Sequence, residues 1–265
     1  MTDPSQSGRG ELGVLTPIAA RKHEEIAALP AIDPSSLDPA PRSLSAALRR
    51  PSGEKIRVIA ECKKASPSAG LLRPGYDPAE LARQYRDCGA AALSVLTDSK
   101  FFQGDISHLA AVQEANIPIL RKDFILDEKQ IHEARQAGAD AILLIVRMLD
   151  EARIREFIKV AGDLGMDCLV ETHNADEIET ALAAGAGIIG INHRDLDDLT
   201  MNMNLSLELA PRIREAAPDT IIVAESGVES PAGWRQVDEL VDALLIGTAF
   251  MRSANIPRTW HELFS

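Results

Sequence analysis

The chain has 265 residues, of which 45% are hydrophobic and 26% charged, and it carries a formal net charge of −12. Such a charge repels other polyanions, which argues against a general affinity for nucleic acid or for anionic membranes. No apolar stretch approaches the roughly 20 residues of a bilayer span, and the polar residues 1–11 lack the basic and apolar regions of a secretory signal. We therefore expect a soluble protein of the cytoplasm that binds neither nucleic acid nor membranes.

The three cysteines, Cys62, Cys88 and Cys168, form an odd and widely spaced set. Their spacing fits neither a disulfide framework nor a zinc motif, which is consistent with a reducing compartment. We expect them to behave as small, buried apolar side chains.

Roughly the first 55 residues contain helix signals but no strand signal. Apolar residues of 18–29 are spaced to form a stripe on one helix face, and residues 43–48 suggest a second, shorter helix. Residues 32–42 are rich in Pro, Ser and Asp and are typical of a loop. We expect residues 1–55 to be a helical extension, disordered over its first dozen residues, that covers the base of the following domain or borders its pocket.

From residue 56 onward the chain repeats one unit, a short apolar run followed by a helix-like segment. The runs, which predict strands, are 57–62, 91–96, the run beginning at 118–120, 141–146, 167–170, 188–191, 220–224 and 243–246. The predicted helices are 78–88, 105–114, 127–137, 150–164, 175–184, 206–216, 231–240 and 257–264. This alternation favours a single α/β domain, a (β/α)8 TIM barrel over residues 56–265, since such barrels have about 250 residues. An open doubly wound sheet is the alternative.

Polar or charged residues stand at the ends of the predicted strands. They are Glu61, Lys63, Lys122, Glu171, Asn192, Glu225 and Ser226. A barrel collects the C-terminal ends of its strands at one face, so these groups should meet in one polar pocket. Strand side chains alternate, which places Glu61 and Lys63 together in the barrel mouth and turns Cys62 outward. A structural ion pair is the alternative interpretation for Glu61 and Lys63.

The loops after the last two strands, Ser226-Gly227 and Gly247-Thr248, place a glycine where the backbone can approach a ligand closely. In βα barrels these loops commonly bind phosphate through backbone N–H groups, although an ordinary tight turn would use the same residues. The glycines of 185–190 match the spacing of a dinucleotide fingerprint. That motif requires a strand that turns into a helix, whereas these glycines leave a helix and enter a strand, so we interpret them as a helix stop and a tight turn.

Several long motifs resemble, in order, those of the indole-3-glycerol-phosphate synthase family. They are IAECKKASPS (59–68), LRKDFI (120–125), LVETHN (169–174), IGIN (189–192), RDL (194–196) and AESGV (224–228). The resemblance extends from about Leu15 to the C-terminus. It departs from the family pattern at His193, where many relatives have Asn or Ser, and at 201–204, where the chain is less regular.

The resemblance implies a chemistry. The family converts 1-(2-carboxyphenylamino)-1-deoxyribulose 5-phosphate to indole-3-glycerol phosphate with loss of carbon dioxide and water. It needs no redox step, so the resemblance implies no cofactor and no metal, and the sequence has no His/Cys/Asp set at ligand spacing. By match, Lys122 is the first general acid, and Lys63 holds the aryl carboxylate and later acts as an acid with help from Glu61. Glu171 is a second candidate acid or base, and the sequence does not apportion dehydration between it and the Glu61/Lys63 pair.

The resemblance also implies a set of binding residues. Asn192, Arg194, Glu225 and Ser226 would orient the anthranilate and the sugar hydroxyls, and Gly227, Gly247 and Thr248 would hold the phosphate. Ser66 lies on a loop expected to close over the substrate. Phe101, Phe102 and Phe124 are candidates for packing the aryl ring, with core packing as the alternative. We expect a monomer or a weak homo-oligomer, with the phosphorylated small molecule as its partner.

Three other functions fit parts of the pattern. An aldose-to-ketose isomerase of the same pathway would use a cysteine base after the first strand, but an inward Cys62 would turn Glu61 and Lys63 out. A Schiff-base aldolase could use Lys63 or Lys122. A non-catalytic paralogue would bind ligand without turnover. A substituted anthranilate derivative is also open as the substrate.

Overall fold

The computed structural model of the protein describes residues 15–265, so the expectation for the first dozen residues lies outside the described part. In chain order, the strands are β1 (Arg57–Cys62), β2 (Ala65–Ser66), β3 (Gly70–Leu71), β4 (Ala92–Leu96), β5 (Ile119–Lys122), β6 (Ala141–Ile145), β7 (Asp167–Thr172), β8 (Ile188–Asn192), β9 (Ile221–Glu225) and β10 (Ala243–Ile246). β2 and β3 pair as a short antiparallel hairpin. The other eight close into a parallel barrel, in which each strand pairs with the next in the chain and β10 pairs with β1.

Helices lie between the strands and before them. They are α1 (Leu15–Ala28), α2 (Leu44–Leu48), α3 (Pro78–Cys88), α4 (Ser99–Phe102), α5 (Ser107–Ala111), α6 (Glu128–Gln136), α7 (Glu151–Asp163), α8 (Ala175–Ala183), α9 (Leu205–Ala216), α10 (Pro231–Arg235), α11 (Thr248–Arg252) and α12 (Ile256–Phe264). Side chains of Asp77, Asp127, Asp150 and Asn174 cap α3, α6, α7 and α8 by accepting backbone N–H bonds. The predicted (β/α)8 barrel is therefore confirmed, and the open sheet is excluded. Within residues 15–265, no helix combines the length and the apolar character that crossing a membrane requires.

The elements differ from prediction in a few places. The helix predicted at 231–240 ends at Arg235. Two turns follow it, in which the Val237 N–H donates to the Trp234 carbonyl and the Leu240 N–H donates to the Val237 carbonyl. The helix predicted at 105–114 is α5 followed by a 3-10 turn, Gln113–Ala115. The helices α4 and α11 and the β2–β3 hairpin were not predicted, because each is too short to show a periodic pattern.

Alternation along the strands divides the core into two clusters. In β1, Ile59 belongs to the cluster inside the barrel, whereas Val58, Ala60 and Cys62 belong to the cluster between strands and helices. The prediction that Cys62 faces outward is confirmed. Cys62 and Cys168 are buried free thiols, and Cys88 is half-buried.

The segment before the barrel closes its interior at both ends. Leu15 and Ile18 of α1 and Leu44 and Leu48 of α2 pack into the same inner cluster as Ile59. α1 lies at the C-terminal ends of the strands, since Leu15 and Ile18 line the cavity there. At the opposite end, the Arg42 guanidinium binds the buried carboxylate of Asp140, just before β6, at 2.7 Å. The extension thus both covers the base and borders the pocket.

Candidate active site

A cavity of about 350 Å³ opens at the C-terminal ends of the strands, below α1. It has a mixed polar and apolar lining. Of the residues predicted for the site, the lining includes Glu61, Lys63, Ser66, Lys122, Phe124, Glu171, Asn192, Arg194, Glu225, Ser226, Gly227, Gly247 and Thr248. The convergence of groups far apart in the chain, which the sequence predicted, is therefore confirmed.

Glu61 and Lys63 form the first charged pair of the cavity. Lys63 Nζ lies 2.5 Å from Glu61 Oε1, and both side chains are largely buried. A Cβ atom at position 247 would overlap Glu61 Oε1, so Gly247 leaves the space in which this carboxylate lies. Ser94 Oγ of β4 donates a long hydrogen bond of 3.5 Å to Glu61 Oε2. The pair is fixed in the wall and open to the cavity.

Lys122 is the centre of a second charged cluster. Its ammonium group donates to Glu171 Oε2 at 3.0 Å and to Glu225 Oε2 at 2.7 Å. Burial alone would lower the pKa of Lys122, but Glu171, Glu225 and Glu61 outweigh it and raise the pKa. The lysine therefore holds its proton when the cavity has no ligand.

Two carboxylates share this one ammonium. Burial raises the pKa of Glu225 to about 7; Lys122 opposes the rise, and the charge of Glu171 adds to it. At Glu171, burial is outweighed by Lys122 and His173, and the pKa falls to about 2. Like charges close together separate in pKa, so the pair loses its protons in two steps and Glu225 is the group that is protonated near neutrality.

Asn192, Ser226 and Arg194 form the wall beside this cluster. Ser226 Oγ donates to Asn192 Oδ1 at 2.8 Å, and the same oxygen accepts from the backbone N–H of Arg194 at 3.1 Å. Arg194 also donates to the Leu199 carbonyl at 3.2 Å. These bonds orient the Asn192 amide and hold the β8 and β9 loops together.

His193, a departure from the family pattern, contacts the same loop from behind. Its Nδ1 lies 3.0 Å from the Ser226 carbonyl oxygen and its Nε2 lies 2.7 Å from Ser206 Oγ. Burial lowers the pKa of His193, which favours the neutral ring, with Nδ1 as donor to the carbonyl. Ser226 itself has a φ of 67°, which non-glycine residues rarely adopt.

The two glycine loops contribute to the lining of the cavity. Gly227 has a φ of 79°, and a Cβ there would overlap the Met203 sulfur. This position therefore requires glycine for both its conformation and its space. Gly247 is followed by Thr248, the first residue of α11. Gly227, Gly247 and Thr248 all line the cavity.

The aromatic residues are placed differently from one another. Phe124 and Phe102 line the cavity, with ring centroids 6.2 Å apart. Phe101 is outside the lining, and Lys100 Nζ lies 5.5 Å from its ring centroid. Of the three phenylalanines predicted to pack the aryl ring, Phe101 is therefore the one that does not face the cavity, since one residue along a short helix turns the side chain by about 100°.

Cys62 does not reach the cavity. It is fully buried among the helices, and burial together with the charge of Glu61 raises the pKa of its thiol. A thiolate base at this position, which an isomerase of the predicted type would need, is excluded by this orientation.

Sequence reasoning missed several residues of the site. Leu15 and Ile18 of α1 line the cavity, although the helix was predicted only as an extension. Lys22 is 2% exposed and binds Asp98 at 2.9 Å and Asp123 at 2.8 Å, which ties α1 to the β4 and β5 loops. A lysine among the apolar positions of a helix stripe was the signal available.

Two more residues behind the wall were missed. Gly190 in β8 leaves space for Glu225, and a glycine inside an apolar strand signals such a close approach. His173 follows Glu171 by two residues, so strand alternation places both on one side. Within residues 15–265 no three His, Cys, Asp or Glu side chains are grouped as a metal site.

A closed parallel barrel whose strand ends surround one cavity with paired lysines and carboxylates defines a (β/α)8-barrel enzyme with an acid–base site. The sequence profile of the indole-3-glycerol phosphate synthase family matches residues 15–263. The chain therefore belongs to the indole-3-glycerol phosphate synthase family. Members of this family are carboxy-lyases of tryptophan biosynthesis.

Individual relatives agree with this assignment. The indole-3-glycerol phosphate synthase of Leptospira interrogans is 47% identical over 252 residues, covering 95% of this chain and 97% of the relative. That of Chlorobium chlorochromatii is 48% identical over 210 residues, covering 78% and 80%. A solved structure described as "Native KDPGal structure" aligns with a TM-score of 0.55 and 19% identity over 81% of this chain and 94% of that one, which shows similarity of fold alone.

Proposed function

We propose how the side chains of this cavity divide the reaction of the family. That reaction is the decarboxylating ring closure and dehydration of 1-(2-carboxyphenylamino)-1-deoxyribulose 5-phosphate to indole-3-glycerol phosphate. The substrate carries a carboxylate and a phosphate, and the chemistry requires a proton for the ketone oxygen, then acid and base groups for the loss of water.

Lys122 is the acid of the ring closure. Its ammonium is buried and holds its proton, as a donor to the developing alkoxide must. Glu171 and Glu225 fix its position through two short bonds. A positive charge held before the reaction also stabilises the oxyanion without reorganisation.

Lys63 is the cation for the aryl carboxylate. It stands at the strand end next to the cavity, and Glu61 keeps it in place. As carbon dioxide leaves, Lys63 loses this anionic partner and becomes free to act as an acid in the dehydration, with Glu61 beside it. This division keeps the two lysines for successive steps.

Glu171 supplies the remaining proton transfers, and Glu225 positions Lys122. Because Glu225 is the carboxyl that holds a proton near neutral pH, Glu171 is ionised in the free protein and can accept a proton. We assign the dehydration to Glu171 together with the Glu61/Lys63 pair, and the role of Glu225 to positioning Lys122. Glu225 is 1% exposed, so its binding to substrate hydroxyls is the weaker of its two proposed roles.

The other wall residues bind the substrate. Asn192, Arg194 and Ser226 orient the anthranilate and the sugar, and the backbone of Gly227, Gly247 and Thr248 receives the phosphate. Phe124 and Phe102 flank the aryl ring, and Ser66 lies on the loop that closes over it. The front helix completes the apolar side through Leu15 and Ile18.

The observation that carries the proposal is the presence of two buried lysine–carboxylate clusters in one cavity. The test is turnover of the carboxyphenylamino-deoxyribulose phosphate, followed by indole fluorescence and carbon dioxide release. Lys122→Met should lose about 10²- to 10⁴-fold in kcat, whereas Lys159→Met, on the exposed face of α7, should not. Near-normal turnover by a folded Lys122→Met variant would remove Lys122 from the mechanism.

Carbon dioxide release also separates this reaction from isomerisation, and borohydride trapping of a Lys63 or Lys122 adduct would support the aldolase instead. We further propose that the enzyme works in the cytoplasm as a monomer or a weak homo-oligomer without cofactor or metal. Sedimentation of the purified chain over a range of concentrations tests the oligomeric state.

A further inference from the structure

The His173 ring is a buried titratable group in contact with the cluster around Lys122. Its side chain is 2% exposed and lies between two carboxylates, Glu171 on one side and Glu177 on the other. Nδ1 is 3.1 Å from Glu177 Oε2, and Nε2 is 3.5 Å from Glu171 Oε1. A histidine in this place connects a candidate catalytic group to the helix layer.

Glu177 fixes which nitrogen of the ring carries a proton. Its carboxylate accepts from Arg147 Nε at 3.0 Å, from Asn174 Nδ2 at 2.9 Å and from the backbone N–H of His173 at 2.7 Å. Burial would raise the pKa of Glu177, but its bonds to His173 and Arg147 lower it overall, so the group is ionised. An ionised carboxylate can only accept, and Nδ1 must therefore carry the hydrogen.

The other nitrogen then has one neighbour. Among the described residues, Nε2 is a buried atom with no hydrogen-bond partner within normal distance, and Glu171 Oε1 is the group it faces. A bare Nε2 and an ionised Glu171 would place two lone pairs against each other in a site that water does not reach. A single proton removes this repulsion, whether it is bound to Nε2 or to Glu171.

We propose that His173 is a positioning residue that shares one proton with Glu171 and thereby sets the protonation state of that carboxyl during turnover. The proposal rests on the role of Glu171 in the proposed function. The shared proton moves from Nε2 to Glu171 Oε1, which leaves a neutral ring, and Glu171 then gives it to the leaving hydroxyl. When Glu171 takes a proton from the substrate, that proton passes to Nε2. The pair gives one proton and receives one during the dehydration, so its starting state is restored.

The surroundings of the ring are consistent with this exchange. The charged groups around it are Glu171 of β7, Glu177 of α8 and Arg147 behind Glu177, with Lys122 of β5 beyond Glu171. Arg147 is held in turn by Asp195 at 3.0 Å. The contact of 3.5 Å is long for a hydrogen bond, and such contacts commonly shorten when substrate binds.

Two substitutions test the roles of the His173 nitrogens Nδ1 and Nε2 separately. His173→Asn places an amide near Nδ1 and keeps the contact with Glu177 but removes Nε2, whereas His173→Gln supplies a donor to Glu171 that cannot titrate. We expect kcat to fall at least about tenfold in both, with KM within about threefold and with the acidic limb of the kcat profile displaced. His261→Asn, at an exposed position of α12, is the control and should match the wild type.

The tautomer is measured directly on the wild-type enzyme by nitrogen NMR of labelled histidine, with the His173→Asn spectrum as the assignment. Nδ1 should carry a hydrogen in the folded enzyme, and the shared proton should be seen at Nε2. A bare Nδ1, or variants that melt at a lower temperature but keep the wild-type kcat profile, would overturn the proposal. Glu171→Gln distinguishes failure of the proposed function from failure of this inference. A fully active Glu171→Gln variant would reject the catalytic role of Glu171. An inactive Glu171→Gln variant together with an unaffected His173→Asn variant would reject only the role of His173.

Discussion

Gly190 and Glu225 depend on each other, because a Cβ atom at Gly190 would overlap Oε1 of Glu225. Gly190 lies in the middle of β8, paired with both neighbouring strands, so the backbone cannot move aside without breaking the barrel. The carboxylate that holds Lys122 therefore occupies a space left by a missing side chain in the middle of β8.

Gly190→Ala should displace Glu225 and with it Lys122. We expect kcat to fall at least about tenfold, as for the loss of a positioned acid, and the melting temperature to fall as the methyl group is forced against a buried carboxylate. Gly187→Ala is the matched control, since a Cβ at that position meets nothing within 4 Å. Equal activities of the two variants would contradict the dependence.

The raised pKa of Glu225 predicts a pH dependence of stability. The unfolded side chain loses its proton near its ordinary value of 4.5, whereas the folded one keeps it up to about 7. Between these values the native state binds more protons than the unfolded state, so this carboxyl's contribution is present below pH 4.5 and is lost as the pH rises to about 7. The Glu225→Gln variant has no carboxyl at this position, so its stability does not fall for this reason.

The stability advantage of Glu225→Gln over the wild type should therefore grow between about pH 4.5 and 7 and stay constant above. Urea unfolding at a series of pH values measures it. A difference that does not change with pH would show that Glu225 titrates normally in the folded chain.

Lys22 predicts a coupling between α1 and the cavity. Lys22→Met would leave the buried Asp98 without its cation and Asp123 with Arg121 alone, and removal of one partner from a buried pair costs about 3–5 kcal/mol. Because Leu15 and Ile18 of the same helix line the cavity, KM should rise as well. The neighbouring Arg21 forms exposed pairs, and Arg21→Met should resemble the wild type in both urea unfolding and kinetics.

His193 predicts an effect on binding more than on rate. His193→Ala removes the contacts with the Ser226 carbonyl and Ser206 Oγ, and one such bond is worth about 1 kcal/mol, or roughly fivefold in affinity. The strained Ser226 and the following Gly227 should loosen, which raises KM for the phosphorylated substrate while kcat changes less. His23→Ala on the exposed side of α1 is the control. A change confined to kcat would argue against a role in holding the loop.

The barrel and most of its cavity could be predicted because both follow from the periodic pattern of apolar and polar residues in the sequence. Apolar runs mark the strands, alternation turns Glu61 and Lys63 inward and Cys62 outward, and barrel closure brings their ends to Lys122. The predicted strands 57–62 and 243–246 match the observed ones, and the others differ by no more than two residues at their ends.

The remainder depends on distances between residues far apart in the chain. The pairing of Lys122 with both Glu171 and Glu225, the space that Gly190 leaves and the position of α1 above the cavity arise only from packing. The choice between Phe101 and Phe102 likewise depended on α4, a helix of 4 residues with no periodic signal of its own. The local sequence pattern therefore identified the candidate catalytic residues but not the residues that pair with them and shift their pKa values.

The stretch from Leu15 to Leu48 seals the barrel from above and from below. The residues that close the two ends belong to one short segment of the chain. Detachment of that segment would therefore expose the barrel interior to solvent at both ends at once. Solvent exchange at the innermost strand amides should then report on the attachment of the front segment as much as on the barrel that surrounds them.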